Sequence, residues 1–91
     1  MSSIRAGLPA PPPPTYHQQT IWRVVKDSRY AEARLRDVPH GRELRFVIGG
    51  EGRDEQLMHS CVYRSGESAE LGVASQGVLQ DFQRLGWTIA S

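Results

Sequence analysis

The chain has few of the residues that usually carry chemistry or reinforce a small fold. It contains one cysteine, Cys61, and three histidines, His17, His40 and His59. A single thiol cannot form an internal disulfide. His40, His59 and Cys61 could supply at most three metal ligands, from a turn and a strand, without the close paired spacing of a zinc site. His59 and Cys61 alternate onto one strand face, yet no glycine-nucleophile-glycine turn accompanies them. The glycines of "GGEGR" lack the Lys and Ser/Thr that complete a phosphate loop. No cofactor is expected, and the chain reads as non-catalytic.

Long apolar runs are also missing. No stretch of eighteen apolar residues occurs, and the N-terminus has no apolar signal core, so the sequence predicts neither a membrane span nor a secretory signal. With its lone thiol, the chain is expected in a reducing cytoplasm. Net charge is almost absent: eleven basic and ten acidic side chains give +1. There is thus no overall field to collect phosphate or anionic lipid.

What is present divides the 91 residues unequally. Residues 1–19, "MSSIRAGLPAPPPPTYHQQ", combine closely spaced prolines with few apolar side chains and are expected to form a flexible tail of polyproline II character. If that tail is a ligand, Arg5, Pro9, Pro11, Pro14 and Tyr16 are its candidate docking residues. Arg5, however, stands one position too far from Pro9 for the usual basic-x-x-Pro-x-x-Pro frame. Residues 20–91 are left to form one small domain. A core of that size supplies only about 3–5 kcal/mol, which makes association with a second copy an open possibility.

Period-two alternation predicts strands in "TIWRVVK", "RYAEARLR", "GRELRFVIGGEG" and "QLMHSCVYR". A turn at Asp27 and Ser28 joins the first two, and "VPHG" joins the second to the third. The loop "GGEGRDE" is expected to be the most mobile connection outside the tail. In the fourth strand, Leu57, His59, Cys61 and Tyr63 oppose Met58, Ser60 and Val62, and neither set is clearly the buried one.

After "SGES" the period lengthens to that of a helix. Leu71, Ala74 or Ser75, Val78, Phe82 and Leu85 form the apolar stripe, with Ser65 as the expected N-cap. Glu67 and Glu70 suit the positive end of the helix dipole. Gly86 is placed for a left-handed C-cap that folds Trp87 back onto Phe82. Gly72 and Gly77 each cost about 1 kcal/mol relative to Ala, which predicts close approach to the sheet. The fold expected is α+β: a four-stranded antiparallel meander with one C-terminal helix packed on one face.

The arginine-rich segment "AEARLRDVPHGRELRFVIGGE" raises the question of a polyanion surface. Alternation places Ala31, Ala33 and Leu35 on one side and Glu32, Arg34 and Arg36 on the other. With residues 37–40 as the loop, Arg34 faces Glu43 and Glu32 faces Arg45. A shift by two would oppose Arg34 to Arg45, which cross-strand energies of about 0.2–1 kcal/mol disfavour. The first hairpin places Arg23 opposite Glu32, Val24 opposite Ala31 and Trp22 opposite Ala33. Arg29, Arg36 and Arg42 are left without assigned partners and are the candidate anion contacts if the chain binds nucleic acid. No aromatic platform interleaves with these cations, as a nucleic-acid-binding sheet usually requires.

Taken together, "IWRVVK", "AEARLRDVPHGRELRF", "VYR" and "LGW" are similar to short bacterial proteins of uncharacterised families that have a strand-rich start and a helix ending in Gly-Trp. The similarity covers roughly residues 20–87 and implies a fold but no chemistry; Gly72, Ser75 and Gly77 depart from the Ala-, Lys- and Glu-rich helices of such proteins. The leading expectation is a small binding or adaptor module that engages a protein partner, or itself, through its open sheet face or an edge. The alternative is a nucleic-acid-binding accessory protein.

Overall fold

The computed structural model describes residues 17–90, so the candidate docking residues Arg5, Pro9, Pro11, Pro14 and Tyr16 lie outside the described residues. The chain forms β1 (Gln18–Lys26), β2 (Arg29–Val38), β3 (Gly41–Gly50), β4 (Arg53–Tyr63), α1 (Ser68–Arg84) and β5 (Thr88–Ile89). The architecture is α+β, with an antiparallel sheet of five strands in the order β4-β3-β2-β1-β5. The fifth strand corrects the expected meander of four. Two residues after Trp87 suffice, because Ile89 and Thr88 pair with Val24 and Val25 of β1, and so short a ladder leaves no alternation to read. Gln18 and Gln19, placed with the tail by composition, already pair with Arg36 and Leu35.

Alternation drives the core to one side. Trp22, Val24, Ala31, Ala33, Leu35, Leu44 and Phe46 of β1 to β3 pack beneath Leu79, Phe82 and Trp87. Trp22, paired opposite the small Ala33, reaches from the sheet to the helix. Its ring lies 5.9 Å from that of Phe46 and 6.0 Å from that of Phe82, which in turn meets Trp87 edge-on at 5.0 Å. The indole Nε1–H of Trp22 donates to Oγ and the carbonyl oxygen of Ser75 at 3.1 and 3.2 Å. A buried hydroxyl in the helix is thereby satisfied, and it fixes the helix over β1.

The C-terminus of α1 forms the expected motif. Gly86 adopts φ +94°, its N–H donates to the Gln83 carbonyl at 3.1 Å, and the Trp87 N–H donates to the Phe82 carbonyl at 3.0 Å. These are the paired bonds of a Schellman cap. Three other expectations for the helix are corrected. Leu79 is buried in place of Leu85, which is 66% exposed, because the chain leaves helical geometry at Leu85 and turns at Gly86. Ser65 is not the N-cap: a turn through Gly66 at φ +97° intervenes, and Glu67 occupies the cap position without a side-chain bond to the helix. Gly72 and Gly77 meet no neighbour within 4 Å of where a Cβ would stand, so close approach is not their reason. Nothing in the structure explains them.

The connections are tighter than expected. "GGEGRDE" is reduced to a turn at Glu51 and Gly52, since Gly50 pairs with Arg53, and the Glu51 N–H donates to the Ser28 carbonyl at 3.2 Å. Pro39 and His40 alone join β2 to β3, with Val38 opposite Gly41. Gly41, at φ +152°, lies against the next strand so closely that a Cβ would stand 2.1 Å from the Tyr63 carbonyl oxygen. Only glycine fits there.

Candidate interaction surface

The short Pro39–His40 turn sets the register of the charged face. Arg34 stands opposite Arg45, not Glu43, while Arg36 faces Glu43 and Asp37 faces Arg42. This is the register that charge counting alone disfavours. A shift by two keeps every apolar side chain on its own face, so only turn geometry and charge distinguish the alternatives. The tight turn adds the Asp37–Arg42 and Val38–Gly41 pairs and still opposes two sets of opposite charges. In the first hairpin Arg23 pairs with Glu32, Val24 with Ala31 and Trp22 with Ala33, as alternation and the turn require.

The Arg34–Arg45 juxtaposition is relieved sideways. Arg34 Nε–H donates to Glu32 at 2.8 Å, while its two terminal nitrogens donate to both oxygens of Glu55 at 2.7 and 2.6 Å. Arg45 Nε lies 3.7 Å from Glu43, which also accepts from Arg36 at 2.7 Å. Glu32 is buried and receives both Arg23 and Arg34. Held by the Glu55 and Glu32 carboxylates against the opposing effect of burial, the Arg34 guanidinium is shifted further toward its protonated form.

Glu55 joins this network because of an irregularity in β4. His59 pairs with Phe46 and Leu57 with Val47, so Met58 is an extra residue in a bulge. Strict alternation would place Glu55 on the face of His59 and Cys61. The bulge moves it to the opposite face, beside Tyr30, whose hydroxyl donates to Glu55 at 2.8 Å. The carboxyl of Glu55 is held below its ordinary 4.5, first by Arg34 and then by Tyr30. The Tyr30 phenol is held above its ordinary 10.0, chiefly because its proton is shared with that carboxylate. Its ring covers Gly49, where an added Cβ would come within 2.6 Å, and the Arg23 guanidinium stacks over it at 4.3 Å. An aromatic ring laid over a cross-strand glycine restores the packing that glycine lacks.

The three candidate anion contacts are all engaged. Arg36 donates to Glu43, Arg42 Nε lies 3.5 Å from Asp37, and the Arg29 guanidinium sits 5.2 Å from the centre of the Trp87 ring. On the charged face Arg23, Arg34, Arg36 and Arg45 thus each have a carboxylate within 4.0 Å.

β4 presents a different surface. Every residue from Arg53 to Val62 is exposed, and only Tyr63 is partly covered. Leu57, Met58 and Val62 retain 49%, 52% and 51% of their accessible surface. Among the described residues, neither face of β4 is buried. His59 and Cys61 stand opposite Phe46 and Leu44 and are open to solvent, with Cys61 Sγ 3.9 Å from the Val62 carbonyl oxygen. Among the described residues no group of three or more His, Cys, Asp or Glu side chains could hold a metal ion. Beyond the end of β4, Arg42, Tyr63, Arg64, Ser65 and Ser68 line an open cleft of about 390 Å³. No helix among the described residues is long and apolar enough to cross a membrane.

Comparison with protein-family models, with curated proteins and with solved structures finds no match.

Proposed function

We propose that this chain is a non-catalytic protein-binding module that accepts an extended polypeptide along the outer edge of β4. The observation that carries this reading is an edge strand of eleven residues whose side chains are almost all exposed and include three half-exposed apolar ones. An outermost strand offers unpaired backbone donors and acceptors, and another strand can satisfy them. Apolar side chains there give the added strand something to pack on. A reducing cytoplasm suits the exposed Cys61 thiol.

The nucleic-acid alternative draws less support, because Arg23, Arg34, Arg36, Arg42 and Arg45 each lie within 4.0 Å of a carboxylate. Retention on a mixed RNA pool at low salt, weakening steeply as salt rises, would restore it.

The binding reading is tested by titrating isotope-labelled protein with a synthetic peptide of about nine alternating Val and Thr residues, the length of an ordinary strand. The expected result is chemical-shift change and slowed amide exchange confined to β4 and its neighbour β3. No perturbation at millimolar peptide, or perturbation centred on α1, overturns it.

A further inference from the structure

We infer that the strand received at this edge is β4 of a second copy, paired antiparallel about a two-fold axis at Ser60; this rests on the edge-binding reading above. Three observations lead to it.

The first is how unevenly the edge is protected. Arg53, Asp54, Glu55 and the bulge at Met58 occupy the first half of β4. Charge and bulges are the usual means by which a sheet edge discourages unwanted pairing. From His59 to Tyr63 there is neither, and the exposed backbone runs straight.

The second is self-complementarity. An axis perpendicular to the sheet keeps each face of one copy level with the same face of the other, so residues pair symmetrically about the centre. Centred on Ser60, the ladder sets His59 against Cys61 and brings Met58, at the bulge, level with Val62, each twice. Apolar meets apolar, and no like charges are opposed. Moving the centre to Met58 puts the bulge of each copy on the axis, where the ladder is broken. Moving it to Val62 takes Met58 beyond the partner strand, which ends at Tyr63. A centre at Cys61 would set Ser60 against Val62, so Ser60 is the centre that matches apolar with apolar.

The third is what the pairing covers. Val62 and Met58 are half-exposed in the single copy and lie on either side of Ser60. In the paired form each meets its counterpart, producing two equivalent apolar contacts across the axis. The sheet then runs unbroken through both copies, and both remaining edges carry β5.

Sedimentation equilibrium of the full chain, with circular dichroism as the folding control, measures the association. A concentration-dependent dimer is expected, and Val62→Lys should weaken it by roughly tenfold or more, since it sets an ammonium group against Met58 twice per dimer. Position is read separately: in a Cys61→Ser background, Ser60→Cys should oxidise to a covalent dimer, whereas Arg53→Cys, far from the axis, should not. A chain that stays monomeric at every concentration overturns the inference, and so does a dimer indifferent to Val62→Lys and not trapped by Ser60→Cys. In either case, edge uptake of the Val-Thr peptide would leave the binding reading standing, while its failure as well would remove both.

Discussion

The two edges of the sheet are treated in opposite ways. At one, the chain comes back after the helix: Gly86 reverses it, Trp87 packs on Phe82, and β5 pairs with the end of β1. Lys26 donates to the Leu85 carbonyl at 2.7 Å, the Arg29 guanidinium lies over Trp87, and the Ala90 N–H donates to the Arg23 carbonyl at 2.9 Å. At the other edge β4 has no such cover among the described residues. The contrast teaches that the two edges are protected unequally: residues 86–90 shield one, and among the described residues nothing comparable lies along the other.

Substitutions should separate the two edges by their cost. The largest effect is expected at the covered edge: Trp87→Ala removes a buried ring held against Phe82 and should cost about 3–5 kcal/mol in chemical denaturation. Gly41→Ala comes next, because its Cβ would collide with the Tyr63 backbone that anchors the end of β4. A loss of about 2–4 kcal/mol is expected, and an unchanged midpoint would show that β4 can shift freely.

Helix substitutions should act in the other direction. Gly72→Ala and Gly77→Ala face open space and should each raise stability by about 1 kcal/mol, with no change at either edge. Acid should probe the link between β4 and the rest of the sheet. Because the folded protein holds the Glu55 carboxyl below its ordinary 4.5, the stabilisation it brings is complete above that value and is lost as pH falls through the depressed one. Glu55→Gln should therefore lower stability at neutral pH by up to about 1 kcal/mol, a difference that thermal melts should show closing as the pH is taken below 4.5. The smallest effect on folding belongs to β4 itself: Val62→Lys should alter the stability of the single copy by no more than about 0.5 kcal/mol.

Much that depends on local pattern or on one turn is legible in the sequence, although Ser65 as N-cap and Leu85 on the buried stripe are not borne out. The faces of β1 to β3, the first hairpin register and the Gly86 cap all follow from alternation or from one glycine. What escaped it depended on a second strand or a broken period. The β2–β3 register turned on whether the loop took two residues or four, and the Arg34–Arg45 opposition is relieved by Glu32, Glu43 and Glu55, the last of them two strands further along the chain than Arg34. Glu55 itself was hidden by the bulge at Met58, which reverses alternation midway through β4. Most of the arginines do meet carboxylates, though partly different ones from those that alternation and the four-residue loop predict. β4 gave balanced faces because, among the described residues of the single copy, neither face is buried.

The cluster of Trp22, Phe82 and Trp87 also provides a way to tell folding from association. Both indoles are nearly sealed from solvent, at 8% and 6% exposure, and both pack against Phe82 of the helix. Their fluorescence should redden when the chain unfolds and stay unchanged when two copies meet, so one intrinsic dye set monitors the first event while remaining blind to the second.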